Sequence, residues 1–262
     1  MKRRWQACVA ACALAFATAS AARSADTEGR VAANPDQSTV ESPTDDAFEV
    51  SHTFAARYYF ESKRNGAGTA QYRLTFGKAF SKRRSVKIYL PFVTSFAATR
   101  APKSGLGNIA FVYTDAVKGQ AFDHALVGEL WLPTVTNGVK SDDTQLRPHY
   151  DVRWRWSGGG LSLENRLAQS VIVPPGSSWT SFYDLRATPY VSTARSGAVA
   201  LLYEARVNLA LGGIFMSAIG PSITAKIGKA TTLSAFDIWG IGGNGQANLW
   251  RYRVQAQVNA KL

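Results

Sequence analysis

Cysteine is almost missing from this chain: the only two are Cys8 and Cys12, both close to the start. Past residue 12 there is no thiol, which excludes a disulfide framework and a thiolate metal site. Histidine is scarce too, limited to His52, His124 and His149. No HExxH, no Gly-x-Ser-x-Gly and no cluster at metal-ligand spacing accompanies them. A membrane acyl hydrolase would need a His-Ser pair, and no such motif is present. The expectation is a protein that is not an enzyme, with no catalytic residue, no metal and no cofactor. After the first two dozen residues no run of about 18 apolar residues occurs, so no membrane-spanning helix is encoded there. A composition 46% hydrophobic and 11% aromatic excludes a disordered chain.

What the chain does have begins with a leader. Met1-Lys2-Arg3-Arg4 is basic, residues 5–19 are apolar, and Ala19-Ser20-Ala21 offers small residues for cleavage. These features read as a secretory signal peptide over 1–22, cleaved somewhere within 19–25. Val9-Ala10-Ala11-Cys12 resembles a lipoprotein box, but only about seven apolar residues precede Cys12. Residues 23–47 are rich in Ala, Ser, Thr, Asp and Pro and form an acidic arm expected to be flexible. The formal charge is +12. The leader contributes three of those positive charges, and the arm holds six acids against two arginines, so 48–262 carries a surplus of +13. Basic charge could serve nucleic acid, but no fingerprint of that kind is present and export argues against it.

From Phe48 onward the sequence alternates with period two. Phe48, Val50, Phe54, Ala56, Tyr58 and Phe60 fall on one face, and Glu49, Ser51, Thr53, Arg57 and Glu61 on the other. Strands are predicted near 48–61, 69–80, 85–97, 106–116, 122–133, 146–157, 160–172, 179–192, 198–211, 215–227, 231–241 and 247–262. At roughly 11 to 16 residues each, they exceed ordinary soluble strands and suffice to cross a bilayer at a tilt. The fold class expected is all-β, an up-and-down antiparallel transmembrane β-barrel of about twelve strands over 48–262. Connections 62–68, 98–105 and 134–145 are longer than 81–84, 117–121 and 158–159, as outer loops and periplasmic turns should be. Trp131, Trp154, Trp156, Trp179, Trp239 and Trp250 mostly sit near segment ends, as in an interfacial girdle. A soluble β-sandwich also alternates, and remains the competing architecture.

The polar face carries a repeated acid-x-Arg unit on four successive strands: Asp151/Arg153, Glu164/Arg166, Asp184/Arg186 and Glu204/Arg206. Arg57, Arg73, Lys87, Arg155, Arg251 and Arg253 share that face, so cations outnumber carboxylates. Two readings stand for the repeated units: cross-strand pairing that fills a narrow interior, or contact with solutes. Arg155, Arg251 and Arg253 look unmatched and are the stronger candidates for anion contact, because a planar guanidinium holds a carboxylate or phosphate bidentately.

Ile88-Tyr89-Leu90-Pro91-Phe92, Ser104-Gly105-Leu106-Gly107-Asn108-Ile109, Leu130-Trp131-Leu132-Pro133-Thr134 and Leu146-Arg147-Pro148-His149-Tyr150 together resemble the outer-membrane family associated with the meta-cleavage pathway of phenol degradation. Asn108 stands where that family has Asp, and Val135 where it has Gly. The resemblance implies a monomeric outer-membrane channel for small aromatic, hydrophobic or anionic solutes. It carries over no site residues. The expected partners are therefore membrane lipid and small solutes, in the outer membrane of a Gram-negative bacterium. The alternative is a non-conducting structural or envelope-assembly barrel.

Overall fold

The computed structural model describes residues 48–60, 68–97, 100–134, 143–177, 179–193, 197–227, 230–244 and 252–261. The leader, the acidic arm, Arg251, Trp250 and most of 134–145 lie outside the described residues. Thirteen strands follow one another: β1 Phe48–Phe60, β2 Gly68–Ala79, β3 Arg84–Ala97, β4 Arg100–Leu106, β5 Ile109–Lys118, β6 Phe122–Leu132, β7 Thr144–Trp156, β8 Gly159–Ile172, β9 Ser181–Thr193, β10 Gly197–Asn208, β11 Ile214–Ile227, β12 Thr231–Gly242 and β13 Tyr252–Lys261. Each pairs antiparallel with its neighbours, and β1 pairs with both β2 and β13. The sheet therefore closes on itself.

β4 and β5 are two halves of one stave, which makes the barrel twelve-stranded. Both pair with β3, β4 along Phe92–Ala97 and β5 along Arg84–Tyr89. The predicted loop 98–105 is thus corrected: most of it is strand, extending the β3 hairpin beyond the wall. Between the halves, Gly107 N donates to Pro91 O at 2.7 Å, so Gly107 and Asn108 bulge out of register. Thr134, beyond the end of β6, bridges that break. Its hydroxyl donates to Gly107 O at 2.6 Å and accepts from Ile109 N at 3.0 Å. The Gly-Asn and Pro-Thr motifs, far apart in sequence, meet here as one lock.

Connections alternate in length as expected. One end carries short turns such as 80–83 and 157–158, where Gly158 adopts φ 80° to link Trp156 to Gly159. At the opposite end the connections from β6 to β7, β8 to β9 and β12 to β13 are longer. Outward rows are apolar and bare: Phe54, Phe92, Leu126, Val191 and Ile241 are each more than half exposed. A sandwich would bury these same residues between two sheets, so closure and the bare apolar exterior decide for the barrel. Trp154, Trp156, Trp179 and Trp239 are exposed near strand ends, as a girdle requires. Trp131 is not one of them and packs inward against Ala110, Val112 and Val127.

The interior is not purely polar. Tyr89, Ala110, Val112, Ala116, Ala125 and Val127 form one buried apolar cluster, and Leu202, Met216, Ala218, Phe236 and Ile238 another. Apolar side chains that pack on one another need no polar partner there.

Replacing Thr134 by Val keeps the shape and removes the hydroxyl, leaving Gly107 O and Ile109 N unpartnered. Folded barrel in micelles should lose about 2 kcal/mol, read from its urea unfolding midpoint.

Candidate functional site

Antiparallel pairing places the acid-x-Arg units of β8, β9 and β10 in opposite phase. Arg186 stands opposite both Glu164 and Glu204, and Asp184 opposite both Arg166 and Arg206. The result is a checkerboard of three acids and three arginines on the inner wall. Arg186 Nε donates to Glu204 Oε2 at 2.9 Å, and its Nη1 stands 3.7 Å from Glu164 Oε2. Asp184 accepts from Arg206 Nε at 2.5 Å and Nη2 at 2.8 Å, and from Arg166 Nη2 at 3.2 Å. All three carboxylates are buried. In such surroundings a lone charge would be strongly unfavourable, and each acid here has two arginines within 4.0 Å.

Arg253 reaches this network from β13. Its Nη2 donates to Glu204 Oε2 at 2.8 Å, although two strands, β11 and β12, intervene. Ala218 stands opposite Glu204 on β11, and Ile238 opposite Arg253 on β12. Its ring neighbour is Phe236, with the Cζ 4.9 Å from the centroid.

The fourth unit falls out of step. β7 meets β8 so that Asp151 faces Glu164, His149 faces Arg166 and Arg153 faces Ser162. Acid therefore meets acid where the checkerboard asks for a cation. Asp151 is buried, and its Oδ1 has no hydrogen-bond partner. Arg153 is left without a carboxylate, and its Nε is likewise unpartnered.

Of the arginines that the sequence presents as unmatched, two are matched. Arg155 donates to Asp123 Oδ1 at 2.9 Å and to the carbonyls of Gly119 and Gln120 at 2.5 and 3.2 Å. It latches the turn 119–121 rather than offering itself to a solute. Arg253 is paired with Glu204 as described, and Arg251 lies outside the described residues. The inward arginines without a carboxylate in ion-pair range, among the described residues, are Arg73, Arg147 and Arg153.

Two of these rest on aromatic rings. Arg147 Cζ lies 4.3 Å from the Trp131 ring centroid, and Arg73 Cζ 4.3 Å from that of Tyr89. Arg147 Nε and Nη2 both donate to Gln145 Oε1, at 2.9 and 2.5 Å. Gln145 is itself fixed, its Nε2 donating to Asp143 Oδ1 at 2.8 Å, while the Ser170 hydroxyl donates to the same carboxylate. Beneath the stack, Trp131 Nε1 donates to Glu129 Oε2 at 2.6 Å, and His149 Nε2 stands 3.5 Å from that oxygen. Glu129 stands opposite Arg147 in the β6–β7 register, with its Oε2 engaged by Trp131 and His149. At the level of sequence Arg147 figures only within the motif Leu146-Arg147-Pro148; its ring partner lies sixteen positions away and only the β6–β7 register joins them.

No protein-family profile matches this chain, and no curated protein matches it in sequence. Solved structures do. An outer-membrane channel from Pseudomonas putida F1 superposes with a TM-score of 0.64 at 9% identity, covering 87% of this chain and 99% of that one. The NanC porin superposes with a TM-score of 0.54 at 11% identity, covering 80% of this chain and all of that one, 100%. At such identities the likeness is one of fold: this chain has the closed barrel of outer-membrane channels.

Two substitutions test the phase of the ladder. Glu204→Gln strips the carboxylate shared by Arg186 and Arg253 and should cost about 3 kcal/mol. Asp151→Asn removes the like charge facing Glu164 and should stabilise by up to about 1 kcal/mol. Urea midpoints of the folded barrel should move in opposite directions, although each change deletes one carboxylate from the same wall.

Proposed function

We propose that this protein is a channel of the Gram-negative outer membrane, acting as a monomer, that passes small solutes passively and favours anions, aromatic ones included. The observation that carries this reading is the set of inward arginines without carboxylate partners, Arg73, Arg147 and Arg153, inside a closed barrel with a lipid-compatible exterior. A guanidinium surplus in a confined, low-dielectric interior raises the local concentration of anions and opposes cations. Passage then needs only weak contacts at several sites and no covalent chemistry. The resemblance at Ile88–Phe92, Ser104–Ile109 and Leu130–Thr134 supports the same class of solute.

The second reading is a non-conducting structural barrel. It is favoured by the checkerboard on β8 to β10, whose charges are paired with one another and buried and so are not offered to solutes.

Purified barrel in a planar bilayer separates the two. The channel reading expects discrete conductance steps and a reversal potential displaced toward the anion in a salt gradient. Changing Arg73 and Arg147 together to Gln should lower the chloride-to-potassium permeability ratio by about threefold or more. Silent bilayers with correctly folded protein would leave the structural reading.

A further inference from the structure

The Arg147 and Arg73 stacks differ from the other inward arginines in what they leave free. A guanidinium has two hydrogen-bonding edges in its plane, one formed by Nε and Nη2 and one by Nη1 and Nη2. In Arg147 the first edge is spent on Gln145 Oε1, and the plane is held against the Trp131 indole. The end edge, Nη1 with the second Nη2 hydrogen, has no carboxylate in range among the described residues. Arg73 is less committed still. Its Nη2 makes one long contact of 3.5 Å to Thr53 Oγ1, and its buried Nε has no partner.

The two stacks belong to one stretch of wall. Tyr89 of β3 and Trp131 of β6 both pair with Ala110 of β5. Their backbones are thus two strand spacings apart, roughly 10 Å. The residue between them is small and fully buried. Trp131 is one residue from the loop end of β6, so this stretch lies in the half of the barrel where the long loops emerge.

We propose that Arg147 on Trp131 and Arg73 on Tyr89 form a two-station site for monocarboxylates on the loop-side inner wall. This deepens the channel reading and rests on it. The stacked, hydrogen-bonded guanidinium presents two parallel N–H groups at a fixed angle, which suits the two oxygens of a carboxylate and gives a spherical halide no equivalent fit. Ring stacking supplies the orientation, because a cation over a ring face is held there without using its in-plane donors. Charge alone would enrich every small anion alike. The site therefore predicts a preference by shape among anions.

The test uses the reconstituted barrel and three potassium salts: chloride, acetate and benzoate. Bi-ionic reversal potentials should show acetate and benzoate permeating at least about threefold better, relative to chloride, than their free-solution mobilities allow. Arg147→Lys and Arg73→Lys keep the charge and lose the fork. Each should return the carboxylate-to-chloride ratio to the mobility ratio while chloride-to-potassium selectivity stays within about twofold of the parent. Folding of each variant is read from its shifted mobility on unheated gels, and either variant suffices if the other fails to fold. A parent channel that conducts but shows no carboxylate preference overturns the site and leaves the channel reading standing. So does a preference that both Lys variants retain. Absence of any conductance overturns the channel reading and the site's part in permeation with it.

Discussion

Inside a narrow barrel a charged side chain has neither bulk water nor a route to it, and its stability depends on what the neighbouring strand places opposite. Antiparallel register settles this, because residues meet when their numbers add to a constant for that pair of strands. On β8 and β9 the constant matches acid with arginine twice, at Glu164 with Arg186 and at Arg166 with Asp184. β9 with β10 repeats the match. The interior of this sector is neutral, buried and mutually braced. A shift of two residues would set acid against acid in one direction and arginine against arginine in the other, so the charges also guard the register that the hydrophobic alternation alone leaves open.

β7 shows what happens one step outside that arrangement. Its acid-x-Arg unit has the same composition as the other three, yet Asp151 meets Glu164, and Arg153 meets a serine. Composition alone would assign all four units one role. Register divides them into three that neutralise each other and one that does not. The consequence is a barrel with two unlike inner walls: a paired wall on β8 to β10, joined by Arg253 from β13, and a wall from β2 through β7 on which Arg73 and Arg147 lie over aromatic rings without an ion pair, although Glu129 stands opposite Arg147 in the β6–β7 register.

Much of the architecture was legible in the alternation, because a strand buried on one face and greased on the other has only one pattern available to it. Strand positions, their number, the all-β class and the long and short connections follow from it. Three things do not. The segment 98–105 reads as loop because Pro102, Ser104 and Gly105 are turn residues, yet β3 offers it free backbone partners and it pairs. The inward apolar clusters around Val112 and Met216 break the polar-inside rule because apolar side chains that bury one another are stable there without polar partners. The partners of Arg155 and Arg253 are a neighbouring turn and a strand three staves away, and sequence spacing holds no information about either.

The reach of Arg253 also bears on where a solute could travel. Its guanidinium crosses β12 and β11 to meet Glu204, so the paired wall is joined across to β13 and its carboxylates are spent on its own arginines. On the opposite side Ala110 lies flat between Tyr89 and Trp131, and the two guanidiniums above those rings keep donor edges unspent. On the proposed channel reading, the asymmetry of the interior, more than its net charge, sets which anions the barrel distinguishes.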